Sequence, residues 1–227
     1  KELDAAKTRF IATVSHEFKT PISSMEMSLQ LLRNKQIGSL NNEQNDLVTS
    51  IDDDVHRLLR ITKELLNLTQ IESGSIQMNK TKIFPIEILE NAVKANQTLA
   101  EQKNLVIETN IPNHLESIEV DLEKTALVLS NLISNAIHYS HENAKIWITI
   151  EQAMTETLFR VKDEGIGIPI EFLPKVFDRY FRVPGTHKEG TGLGLAISKE
   201  FIEAQKGKLD VLSEYGAGSE FIIKLMR

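Results

Sequence analysis

Between Lys1 and Glu72 the sequence holds one glycine, Gly38, and one proline, Pro21, and its apolar residues recur at three- to four-residue and heptad spacing. A stretch of that kind folds as long amphipathic helices. The first stripe runs through Leu3, Phe10, Val14, Pro21, Met25, Leu29 and Leu32, the second through Leu47, Ile51, Val55, Leu58, Leu65 and Leu68. Between them, Ile37-Gly38-Ser39-Leu40-Asn41-Asn42 supplies a glycine stop followed by asparagine caps. The pattern predicts an antiparallel helical hairpin. Ile11, Phe18, Met27, Leu31, Leu59, Ile61 and Leu66 lie off the seam and are more than one partner helix can cover. That surplus predicts a homodimer, with two hairpins forming a two-fold four-helix bundle.

Glu72-Ser73-Gly74-Ser75 ends the second helix, and at Phe84-Pro85 the pattern changes. Pro85 to Glu101 and Leu122 to Tyr139 read as helices. Leu105 to Asn110, Ala144 to Ala153, Thr157 to Lys162, Lys208 to Ser213 and Ser219 to Met226 read as strands. The fold class predicted is therefore an α-helical hairpin followed by an α+β two-layer sandwich, its mixed sheet covered by helices on one face. Residues 1–75 form the hairpin domain, 76–83 an interdomain linker and 84–227 the α+β domain.

The formal net charge of -6 argues against a nucleic-acid partner, which a dominant basic patch usually serves. The absence of cysteine excludes disulfides, thiolate metal sites and a cysteine nucleophile, and suits a cytoplasmic setting. No run of about eighteen apolar residues is present, so no segment of this sequence reads as a membrane span. A polar start at Lys1, without an initiator Met, reads as a piece cut from a longer chain whose upstream sensor or membrane region is absent.

Chemistry concentrates in two places. Ser15-His16-Glu17-Phe18-Lys19-Thr20-Pro21 lies in the first helix, where His16 is about 200° around from Val14 and can face outward when the seam faces in. Glu17 can accept the Nδ1 proton of the imidazole and leave Nε2 as a nucleophile. Pro21 removes one backbone donor and predicts a bend. Read alone, His16 is more often a surface histidine beside a proline. A zinc-protease reading fails because Thr20 stands where its second histidine would be.

The second place is a set of glycine-rich turns: Asp163-Glu164-Gly165-Ile166-Gly167, Gly190-Thr191-Gly192-Leu193-Gly194 and Gly216-Ala217-Gly218-Ser219. Such turns bring backbone N–H groups close to an anion, and a helix starts at the second of them, which makes a phosphate site. Neither the Walker pattern nor Gly-x-Gly-x-x-Gly occurs, so the common nucleotide folds are excluded. Asn131 and Asn135, four apart on one helix, offer amide oxygens to a hard cation such as Mg²⁺, although helical asparagines are more often plain surface residues.

Together these segments resemble the sensor histidine kinases, whose ATP-binding domain belongs to the gyrase, Hsp90, histidine kinase and MutL superfamily. Ser15 to Pro21 looks like the H box, Asn131 to Ala136 the N box and Asp163 to Gly167 the first glycine box. Phe177 to Arg182 looks like the F box, Gly190 to Leu195 the second glycine box and Gly216 to Phe221 the last. The resemblance implies ATP and Mg²⁺ as cofactors, His16 as phosphoacceptor and Glu17 as its base. It puts Asn131 and Asn135 at Mg²⁺ and the phosphates, with His138 near the phosphates where a Lys is frequent. It packs Tyr139 against the nucleotide, sets Asp163 on the adenine amine and lets the chain turn at Gly165 and Gly167. It places Gly190, Thr191, Gly192, Leu193 and Gly194 around the phosphates, brings Arg182 or, second, Arg179 to the γ-phosphate, and makes Val183 to Glu189 a mobile lid. Lys19 and Glu189 depart from the usual Arg and Gly.

The implied activity is autophosphorylation of His16, then transfer to an aspartate on a response regulator receiver domain, the two domains swinging together. Thr20, one turn from His16, would add phosphatase activity toward that regulator, or is as readily a helix-surface threonine before a proline, and the full-length protein would be anchored in the inner membrane. The rivals are a non-catalytic dimeric signalling scaffold and a conformational ATPase, the latter disfavoured because such relatives carry a water-activating Glu where this chain has Asn131.

Overall fold

The computed structural model describes residues 2–34, 38–74, 76–185 and 190–227, with backbone alone for residues 2–13, 15 and 16. The chain divides into two compact units, Lys1–Ser75 and Ile76–Arg227.

The first unit is a helical hairpin, α1 (Glu2–Arg33) and α2 (Asn42–Glu72), and the helical assignment of α1 continues through Pro21. Asn41 opens α2 with a reciprocal cap: its side chain accepts from Gln44 N at 2.8 Å, and the Gln44 amide oxygen accepts from Asn41 N at 2.9 Å. The core between the helices is Ile22, Leu29, Val48 and Val55, with Leu40 and Leu59 packed against it. This corrects the predicted seam in part, for Leu29, Val55 and Leu68 are buried as expected. Met25, Leu32, Leu47, Ile51 and Leu58 are exposed, and the expected Leu3 and Phe10 lie outside the described side chains. The helices carry two apolar stripes, and periodicity alone does not say which of them faces the helix's own partner.

The second unit opens with β1 (Lys80–Ile83), α3 (Pro85–Gln102), β2 (Val106–Asn110), β3 (Ile118–Asp121) and α4 (Leu122–Tyr139). It continues with β4 (Lys145–Gln152), β5 (Glu156–Asp163), a 3-10 turn at Leu173–Lys175, α5 (Gly194–Glu203), β6 (Lys208–Glu214) and β7 (Gly218–Met226). The main sheet has the order β2-β4-β5-β7-β6, with β2 parallel to β4 and the other pairs antiparallel. Alternation along its strands turns Ile146, Ile148, Phe159, Val161 and Ile223 into a core shared with Leu129, Leu132, Ile133, Phe201 and Ile202 of the helices. The opposite face carries ion pairs, Arg160 with Glu151 and Glu220 and Lys224 with Glu156, as a solvated face should.

Residues 80–83 do not act as a linker. They pair antiparallel with β3, Lys80 opposite Asp121 and Ile83 opposite Ile118. Neither four-residue strand is long enough to show a period on its own. Their junction is fastened by Asp121, which caps α4 through Lys124 N at 3.0 Å, accepts Asn79 N at 2.9 Å and pairs with the Lys124 ammonium at 3.0 Å. Burial pushes its carboxyl up, but those donors outweigh burial and hold it below the usual range.

Candidate functional site

The second unit directs the C-terminal half of α4, the C-terminal end of β5 and the N-terminus of α5 toward one region. On α4, Asn131 donates from Nδ2 to Ser198 Oγ at 3.0 Å, and Ser198 donates to Gly194 O at 2.8 Å. With its nitrogen committed, the Asn131 amide lies so close to the start of α5 that a Cβ on Gly194 would come within 2.8 Å of its Oδ1. Asn135, one turn on, is half-buried, and no described residue hydrogen-bonds its amide. His138 places Nδ1 2.7 Å from Ser134 O, a carbonyl that can only accept, so Nδ1 carries the proton. Tyr139 ends the helix, half-buried. Lys103 donates to the carbonyls of Ile137 and His138 at 2.9 and 3.1 Å, a cation on the last turn where the helix dipole favours one.

Asp163 is the last residue of β5 and is buried. Its Oδ1 accepts Gly165 N at 2.8 Å and Ser219 N at 3.3 Å, while among the described residues no donor reaches Oδ2. Burial pushes the carboxyl up, and the two backbone donors only partly offset it. Asp163 borders an open cleft of about 430 Å³ that Leu173, Val211, Ser213, Ala217 and Ser219 also line. The turn after it is stitched to both neighbours: Ile166 N donates to Tyr139 O at 3.3 Å, and Gly216 N to Ile166 O at 2.8 Å. Gly167 takes φ +65° and packs so tightly on the Glu214 carbonyl that no side chain fits there.

In the second glycine segment Thr191 Oγ1 accepts Leu193 N at 3.2 Å, Leu193 is buried and α5 begins at Gly194. Gly190 is exposed. Arg179 pairs with Glu200 of α5 at 3.6 Å, and Arg182 is exposed. Of the expected lid, Thr186 to Glu189 lie outside the described residues. In the hairpin, His16 is helical, its side chain lies outside the described residues, and Glu17 and Thr20 are exposed. Among the described residues no cluster of three His, Asp or Glu side chains could hold a metal.

Several partners were not visible in the sequence. Ser198, Lys103 and Glu200 carry no motif and matter only through how elements distant in the chain pack together. Ser219 could have been suspected from its place in the third glycine turn.

Residues 6–74 match the His Kinase A (phospho-acceptor) domain, and residues 120–227 match the histidine kinase-, DNA gyrase B- and HSP90-like ATPase family. The sensor protein SrrB of Staphylococcus aureus is 35% identical over 227 residues, taking in 98% of this chain and 38% of the relative. The sensor protein kinase WalK of Staphylococcus haemolyticus is 30% identical over 230 residues, taking in 99% of this chain and 37% of the relative. The chain thus spans under two fifths of the length of these curated relatives. Among solved structures, full-length ShkA in complex with AMPPNP superposes with a TM-score of 0.77 at 26% identity, over 96% of this chain and 45% of that one. The histidine kinase AdeS of Acinetobacter baumannii does so with a TM-score of 0.64 at 25% identity, over 93% and 97%.

Proposed function

The chain belongs to the sensor histidine kinases, and on that premise we propose that it binds Mg-ATP in the second unit, phosphorylates His16 and passes the phosphoryl group to an aspartate of a response regulator. The observation that carries the nucleotide reading is Asp163. A buried carboxylate with Oδ1 saturated by backbone donors and Oδ2 without one is an acceptor held for an incoming N–H, which suits the exocyclic amine of adenine and penalises the carbonyl of guanine. Tyr139 and the Gly165–Gly167 turn flank the base. Thr191 to Gly194, at the positive end of α5, bind phosphate oxygens through backbone N–H groups.

The amide oxygens of Asn131 and Asn135 suit Mg²⁺, a hard cation that takes few protein ligands, and when bound it neutralises charge on the phosphates. Arg182 stabilises charge on the γ-phosphoryl group. His16 Nε2 forms a bond to γ-phosphorus as the bond to the β,γ-bridging oxygen breaks and ADP leaves, while Glu17 holds the Nδ1 proton. The receiver aspartate then attacks the phosphohistidine. The hairpin forms the homodimer. Among the described residues no helix is long and apolar enough to cross a membrane. A membrane anchor in the full-length protein, with this portion in the cytoplasm, remains part of the proposal.

The test is incubation with γ-labelled ATP and Mg²⁺, comparing the wild type with His16→Ala. The expected result is an alkali-stable, acid-labile label that vanishes in the variant. Label that survives acid, or persists without His16, overturns the reading.

A further inference from the structure

The F-box segment, Phe177 to Arg182, is held by three contacts of different kinds, two to α5 and one to the glycine turn before it. The Lys199 ammonium sits 5.7 Å from the centre of the Phe177 ring. Arg179 Nη2 pairs with Glu200 Oε1 at 3.6 Å. Tyr180 N donates to Gly192 O at 2.9 Å. That last contact requires unusual backbone on both sides. Tyr180 adopts φ +64°, a left-handed conformation that a bulky side chain rarely takes, and Gly192 adopts φ +72°. A Cβ on Gly192 would come within 2.7 Å of the Tyr180 carbonyl carbon, so the two backbones meet in direct contact.

The direction of the ion pair matters more than its strength, since both side chains are partly exposed and a lone pair of that kind is weak. Glu200 lies six residues beyond Gly194, or about 9 Å along the helix axis from the N-terminal end of α5, where the reading above puts the phosphates. A guanidinium tied to Glu200 is drawn away from the anion site. From sequence, either Arg179 or Arg182 could serve the γ-phosphate.

We propose that Glu200 is a positioning residue: through Arg179 it fixes the Phe177–Tyr180 turn on α5 and so sets where Arg182 stands relative to the second glycine turn, while Arg179 itself does not touch the nucleotide. The inference rests on the phosphotransfer reading above. Lys199 assists by holding the other end of the same turn. Moving Arg182 by a fraction of its hydrogen-bonding reach lowers the rate of transfer without loosening the base or the α- and β-phosphates, which other residues hold.

The test measures initial rates of His16 phosphorylation against ATP concentration in wild type, Glu200→Gln, Glu200→Arg and the double charge swap Arg179→Glu/Glu200→Arg. Glu200→Arg should lower the rate at saturating ATP about tenfold and leave the apparent KM within about twofold. Glu200→Gln should show a smaller loss of the same kind. The swap should recover to within about threefold of wild type, because it restores the tether with charges reversed. A raised KM with the maximal rate kept would put Arg179 on the nucleotide and overturn the proposal. So would unchanged rates in both single variants, or a swap as inactive as Glu200→Arg. A wild type that forms no His16-dependent label defeats the phosphotransfer reading instead, so the two failures are distinguishable.

Discussion

The hairpin and the α/β unit bury their apolar residues differently. On the inner face of the sheet Ile146, Ile148, Phe159 and Ile223 are fully buried within one chain, whereas Met27 and Leu47 of the hairpin are each 64% exposed, with Phe18, Ile51 and Leu58 near half. A sheet covered by three helices closes its own core. Two helices cover one stripe of each other and leave the second stripe to water, an arrangement that a second hairpin relieves. The α/β unit therefore covers its own core, whereas the hairpin leaves an apolar stripe uncovered.

The largest expected effect sharpens the first half of that contrast. Phe159→Ala removes a fully buried ring from β5 and should destabilise the α/β unit by about 3–5 kcal/mol, read as a fall in its melting transition that does not depend on protein concentration. Ile51→Glu attacks the other half. It leaves the Ile22–Leu29–Val48–Val55 core intact, so it should weaken self-association by about 3 kcal/mol in sedimentation equilibrium while preserving the helical signal. An unchanged dimer constant would remove this stripe from the dimer contact and break the comparison.

The smallest effect concerns the site. Asp163→Asn keeps an oxygen for Gly165 N and Ser219 N but turns a donor toward the base, and should cost about 2 kcal/mol of ATP affinity in calorimetry with a relative gain for GTP. Its stability should hold or rise. A carboxyl held above its unfolded value contributes to folding below that value and loses the contribution as pH rises through the folded one, so charged Asp163 opposes folding at neutral pH. Binding has the opposite dependence. ATP affinity should fall as pH drops through the raised value, because the protonated carboxyl no longer accepts, and the variant should lack that dependence.

Elements with a long period were legible. The helix predicted over 122–139 matches α4, and the Asn41 cap stands where it was expected. The five long strands fall within a residue or so of their expected ends. Two features were not legible, for separate reasons. Lys80–Ile83 is polar and too short to show a period, and it becomes a strand because β3 offers it an edge. In the hairpin, both stripes obey the same spacing, and choosing between them depends on how the helices rotate about their own axes. At the site, Asp163, the asparagines and the glycine turns were visible as residue types in a known order.

Sequence by itself determined the two-part organisation, the helical hairpin, the long helices and strands of the second unit and the place of the glycine-rich turns, because periodicity and glycine placement are local properties. Tertiary structure alone decided which hairpin stripe is buried, that residues 80–83 join the second unit, and that Ser198, Ser219, Lys103 and Glu200 hold the named residues in place. Those contacts join elements distant in the chain, and a hydrogen bond or ion pair between such elements exists only once packing has set the crossing of their backbones.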